Sequence, residues 1–216
     1  MTVNIFYPSN DGETQEFNFG AGSGVSLDTL RGGPGTHFQN GNSVMRVGLN
    51  AGVSNLFGIL QRSIVLFNTT SLAGTILSGV LRLVPWAVAG PVTGLGDTSV
   101  EIVSSNPASD SAIAASDFTT LGSVSFGSLD ISDMAGDVDQ DFVLNAAGLA
   151  ALAPGAITKL GMILGWDLNA SFTGAYVDNE VTRVYFHASE EAGSTKDPKL
   201  TITTLDTFKP RTVVST

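Results

Sequence analysis

A chain of 216 residues with twenty Asp and Glu against ten Lys and Arg carries a net charge of −10, and that field repels phosphate backbones and anionic lipid headgroups, which argues against nucleic-acid and membrane partners. There is no cysteine, so disulfides, thiolate metal sites and thiol nucleophiles are excluded together. Residues are 43% hydrophobic but only 14% charged, with Gly, Ser, Thr, Asn and Asp making up the difference, as in a turn-rich all-β chain long enough to bury a substantial core.

Short segments rich in Val, Ile, Phe and Thr recur between Gly, Pro, Asn and Asp clusters and predict strands. In chain order they are TVNIFY from Thr2, QEFNF from Gln15, SVMRVG from Ser43, RSIVLF from Arg62, TILSGVLRLV from Thr75, TSVEIV from Thr98, SVSF from Ser123, DFVL from Asp141, TKLGMILGW from Thr158, VTRVYFHA from Val181 and KLTITT from Lys199. The N-terminal MTVNIFYPSNDGETQEF lacks a basic stretch followed by an apolar run, so the expected product is made in a host cytoplasm without a signal peptide. Residues 20–43, rich in glycine and without periodicity, read as a long surface loop. In RSIVLFNTTSLAGTILSGVLRL, Ile64 and Leu66 alternate with Val65 and Phe67, which makes both faces apolar and predicts a pair of central strands in one sheet. NAAGLAALAPG is the single helix signal, with Asn145 as its cap and Pro154-Gly155 as its stop. No charged or Pro-rich linker divides the chain, so residues 1–206 read as one sandwich domain and 207–216 as a C-terminal tail.

Catalytic chemistry is sparse. His37 and His187 are the only histidines, and no nucleophile elbow accompanies them. Glu190 and Glu191 are adjacent and point to no hydrolytic pair. The reading is therefore of a protein that is not an enzyme. Asp137, Asp139 and Asp141 have the opening spacing of a calcium loop, but Phe142 stands where the turn glycine belongs and Gly148 where a bidentate Glu belongs; an EF-hand is excluded, and a non-standard calcium site competes with a wet strand face. No other cofactor is expected. Trp86, Trp166, Tyr176 and Tyr185 are the aromatics that would stack a sugar ring if exposed, and Trp86 and Trp166 are the candidates for glycan stacking; the alternative is that they cap the core.

The succession from QRSIVLFNTTSLAGTILSGVLRL, through DTSVEIVSSNPASDSAIAASDFTTLGSVSF and DFVLNAAGLAALAPGAITKLGMILGWDL, to VTRVYFHASEEAGSTKDPKLTITT resembles the DNRLRE-type β-sandwich domain, which is akin to some carbohydrate-binding modules. Phe67-Asn68 departs from the family's usual Phe-Asp. The resemblance implies a single jelly-roll-like antiparallel β-sandwich. Members occur as surface, adhesion, glycan-binding and virion proteins, so it implies fold and not one function. With the absent signal and absent catalytic motif it leads to the expectation of a bacteriophage virion protein, a capsid decoration or other accessory surface subunit, partnered by the major capsid protein and by copies of itself. The alternative is a carbohydrate-binding or adhesion module. The tail, through Phe208, Arg211, Val213 and Val214, or the loop from Gly20 to Ser43 is the expected assembly contact; RTVV could add a strand to a partner's sheet edge, the alternative being a frayed terminus.

Overall fold

The computed structural model describes residues 1–18, 24–90, 96–190 and 192–206. Its strands are β1 (Thr2–Phe6), β2 (Pro8–Phe17), β3 (His37–Asn40), β4 (Val44–Val53), β5 (Leu56–Asn68), β6 (Thr75–Leu83), β7 (Pro85–Ala89), β8 (Ser99–Ser104), β9 (Gly127–Asp130), β10 (Gln140–Val143), β11 (Ile157–Leu164), β12 (Val181–His187) and β13 (Lys199–Leu205). They pair antiparallel in a four-stranded sheet of order β1-β13-β6-β10 and a larger, curled sheet of order β7-β12-β4-β5-β11-β8-β9, from which β2 and β3 branch at β5. The protein is an all-β sandwich, as its composition requires. Among the described residues three short α-helices accompany it, α1 (Leu27–Arg31), α2 (Ala146–Ala151) and α3 (Gly165–Asn169), with 3-10 turns at Ala115–Thr120 and Ile131–Asp133.

β5 organises the larger sheet. Along one edge it pairs with β2 from Ile59 to Phe67; along the other it pairs first with β4 and then, from Ser63, with β11. Its alternation is used on both faces: Val65 and Phe67 enter the main core, while Ile64 and Leu66 form a second cluster with Ile113. Burying each of these side chains contributes roughly 1.5–3 kcal/mol.

Its neighbour in sequence does not pair with it. β6 lies in the four-stranded sheet, so residues 69–74 form a crossover between layers and not a hairpin turn, which corrects the expectation that the two strands share a sheet. The crossover is pinned from inside. Thr69 is fully buried, its hydroxyl lying 2.9 Å from the Ala153 carbonyl and 3.0 Å from that of Ala156, and Gly74 at φ +90 passes so close to the Leu205 carbonyl that a Cβ would sit 2.5 Å from it.

Asn145 caps α2 as its position suggested, its side-chain oxygen accepting from the Gly148 amide at 3.0 Å. From Gly24 on, the described part of the Gly-rich stretch holds regular structure where a loop was expected: Ser26 caps α1, whose Leu30 is fully buried, and residues 37–40 form β3 against β2; residues 20–23 lie outside the described residues. SVSF is not a strand; Phe126 anchors the approach by donating its amide to the Ile102 carbonyl at 2.7 Å, and pairing begins one residue later in β9. TKLGMILGW stops being a strand at Leu164, where α3 turns the chain and the Trp166 amide donates to the Asp97 carbonyl at 3.0 Å. The tail residues Phe208, Arg211, Val213 and Val214 lie outside the described residues.

Candidate functional site

Three places in the sandwich hold unusual chemistry for their position. The first is β1. Among the described residues it pairs only with β13, where Asn4 and Phe6 lie opposite the core residues Ile202 and Leu200. The alternate residues Val3 and Ile5 face solvent at 61% and 53% exposure, and Tyr7 follows at 50%. Val3 and Ile5 sit opposite Thr203 and Thr201, and the register continues this outer face through Val80 on β6 to Val143 on β10, which is 67% exposed. A depression of about 200 Å³ opens there between Ile5, Val80 and Thr201, rimmed by Arg82, Asp141 and Lys199. An apolar strand with a free edge invites another chain unless it is covered.

The second place is β2, whose sequence PSNDGETQEF is almost wholly polar and whose residues 11–16 are all buried. Glu13 is fully enclosed; its Oε1 accepts from Arg46 Nη1 at 2.8 Å, from Gln61 Nε2 at 3.4 Å and from Gln15 Nε2. Burial pushes its pKa up against the pull of Arg46. Asp11 is equally enclosed. One carboxylate oxygen accepts from the Ser189 amide at 3.0 Å, and burial, reinforced by the neighbouring Glu190 carboxyl, pushes its pKa up to about 7. Asp197 is pushed upward by burial and by the same Glu190. The segment between β12 and β13 is thus held on β2 through a carboxyl group that burial keeps largely protonated below neutral pH.

The third place is the face of β12, β4 and β7 turned away from the core. Met45, Val47, Leu49, Val184 and Phe186 point inward, which leaves Arg46, Asn50, Arg183 and Tyr185 on the other side. The register of β12 on β7 shifts between Tyr185 and Phe186, and the extra residue on β7 is Trp86. It packs edge-on against Tyr185, with ring centroids 5.6 Å apart, and is 54% exposed. The Tyr185 ring also lies near two guanidinium groups, Arg46 at 5.7 Å and Arg183 at 5.4 Å from its centroid. Arg183 donates to the Tyr185 hydroxyl at 3.0 Å and to Asn50 Oδ1 at 2.5 Å. Gly48, opposite Arg183, leaves room for that side chain: a Cβ there would sit 2.8 Å from the arginine stem.

The residues singled out in the sequence are dispersed. Trp86 is exposed, whereas Trp166 and Tyr176 are buried in an aromatic cluster around Phe172, so of the two glycan-stacking candidates only Trp86 reaches solvent. The three aspartates divide between two cationic partners. Asp141 makes a two-point ion pair with Arg82 at 2.6 and 2.7 Å, and Asp139 joins the same guanidinium; Asp137 accepts from Lys196 at 2.8 Å and lies 2.9 Å from His187 Nε2. These contacts hold the Asp137 and Asp141 carboxyls below the usual range, and among the described residues no group of three or more His, Asp or Glu side chains is placed to hold a metal ion. His37 packs at a tilt against Phe17 on β2, with centroids 4.5 Å apart. Glu190 belongs to the Asp11 cluster; Glu191 lies outside the described residues. Sequence reasoning missed the polar cluster of β2, because residues 11–16 are polar apart from Gly12 and carry no apolar period that would mark them as buried.

No described helix is long and apolar enough to cross a membrane. No protein-family model matches the chain, and no curated protein matches it.

Proposed function

We propose that this protein is a non-enzymatic structural subunit of a virus particle, a bacteriophage capsid decoration or other accessory surface protein, and that it joins its neighbours through β1 and the outer face of the four-stranded sheet. The observation that carries the assembly role is the exposed apolar edge strand, with Val3, Ile5 and Tyr7 all at least half exposed beside a strand edge that is unpaired among the described residues. A partner strand laid along that edge satisfies its outward amides and carbonyls and covers the apolar side chains in one step. The depression beside Ile5 accepts an apolar side chain, and the Arg82–Asp141 ion pair and Lys199 on its rim offer polar contacts around it. The particle setting rests on the resemblance of residues 60–204 to a sandwich family with virion members. The major capsid protein and further copies of the chain are the partners of this reading.

Charge placed on the edge tests it. Val3→Lys with Ile5→Lys leaves the core untouched and puts two cations on the edge strand, a substitution that blocks strand addition. In a density gradient of lysed producing culture the wild-type chain travels with particles and the double variant stays at the top. A wild-type chain that remains free of particles, or a variant that still travels with them, overturns the proposal.

A further inference from the structure

We propose that the face built from Trp86, Tyr185, Arg183, Arg46, Asn50 and Gln39 is a binding site for an acidic saccharide. The inference does not depend on the particle reading.

Three observations converge on this ligand class. First, a strand irregularity places Trp86 in solvent beside Tyr185, although the chain has room to bury its other tryptophan completely. An indole ring left half exposed on a rigid sheet supplies a surface for the C–H face of a sugar ring. Second, the two rings are bordered mainly by amides and guanidinium groups: Asn50 Oδ1 accepts from Arg183, and Gln39 Oε1 accepts from Arg46 at 2.7 Å, while the nearby Asp137, whose amide donates to the Pro85 carbonyl, is already paired with Lys196. A protein interface centred on tryptophan carries an apolar core, and this patch is instead rich in groups that bond hydroxyls. Third, among the described residues the two guanidinium groups beside Tyr185 share one ion-pair contact, that of Arg46 with Glu13, and Asp137 at the far side of Trp86 has its own cation in Lys196. Glu13 bonds Arg46 and feels the charge of Arg183, and burial drives Glu13 toward its neutral form. Among the described residues Arg183 has no carboxylate in ion-pair contact, and its Nε is enclosed without a hydrogen-bond partner. On a chain of net charge −10 this leaves a local excess of positive charge beside the exposed ring. A ligand carrying both a pyranose ring and a carboxylate matches it.

The buried amides position the site without touching the ligand. Gln15 and Gln61 hold Glu13, Glu13 holds Arg46, and Arg46 lies against Tyr185. Gly48 lets the Arg183 stem lie across β4 to reach Asn50 and Tyr185.

The test titrates the purified full chain with oligogalacturonate, hyaluronan fragments and sialyllactose, with maltohexaose and cellohexaose as neutral controls, and follows tryptophan emission and heat. At least one acidic saccharide is expected to bind and to change the emission of the exposed indole. Trp86→Ala weakens that binding about 10-fold or more, Arg183→Gln removes the preference for acidic over neutral sugars, and added salt weakens the wild type. Unchanged thermal unfolding of both variants shows that the sheet is intact. Absence of binding by every acidic saccharide up to about 10 mM, equal binding by wild type and both variants, or neutral sugars binding as tightly as acidic ones overturns the proposal. So does loss of particle attachment in both variants with no saccharide bound, which would assign the face to a protein partner.

Discussion

β1 and β2 are separated by the single residue Tyr7, and their burial inverts their hydropathy. β1 turns Phe6 to the core but sends Val3 and Ile5 into solvent; β2, with Asp11, Glu13 and Gln15, is enclosed along residues 11–16. Position in the sheet decides this. β2 is paired on both edges, with β5 and β3, and its side chains bond Arg46, Gln61 and Ser189, whereas β1 forms the rim of the small sheet, with one edge unpaired among the described residues. Buried polar groups that find partners fix a unique arrangement, and exposed apolar groups at a strand edge call for a partner from another chain. One strand therefore completes the fold, and the other is left incomplete by it.

Breaking the buried side of this comparison has the largest expected effect. Arg46→Ala leaves Glu13 enclosed without its cation and costs about 3–5 kcal/mol of unfolding free energy, read from chemical denaturation. The exposed ion cluster gives the contrast: Arg82→Ala, beside Asp139 and Asp141 that are each about half exposed, costs about 1 kcal/mol or less by the same measurement.

The pH dependence of stability sharpens it further. The Asp11 pKa rises from 3.8 to about 7 on folding, so between those values the native chain holds a proton that the unfolded chain has released. Stability falls as pH rises through that window and levels off above it. The folded chain is expected to melt at a higher temperature at pH 5 than at pH 8, and Asp11→Asn flattens the difference; a wild type that gains stability from pH 5 to pH 8 would contradict the burial of this carboxyl. Asp137 and Asp141, held low by their cationic partners, contribute stability that is lost only in stronger acid, outside this window. The smallest effect on the isolated chain belongs to the edge. Val3→Lys with Ile5→Lys changes its melting by less than about 0.5 kcal/mol per site, because those side chains already lie in water.

Much of this was legible in the sequence, and what was not has physical causes. The alternation of Ile64, Val65, Leu66 and Phe67 revealed a central strand because each face meets its own apolar cluster. Asn145 revealed a helix start because the local hydrogen bond is the same in any tertiary setting. The crossover after Asn68 was hidden, since a short polar link reads alike whether it returns to its own sheet or passes to the next. β2 was hidden because hydropathy reports the transfer of isolated groups, while Glu13 is buried against Arg46, Gln15 and Gln61, which arrive from three strands. Trp86 and Trp166 both end strands in the sequence, and only the register shift opposite Tyr185 and the turn of α3 tell them apart.

The most direct test of the proposal that β1 is the strand that joins the chain to its neighbours is amide hydrogen exchange on the free chain and on any particles with which it travels in the gradient. The account predicts slow exchange throughout the middle of β2 in both states, and outward amides of β1 that exchange quickly in the free chain and become protected on the particle. Equal exchange of β1 in the two states, or fast exchange of β2 in the free chain, would contradict it.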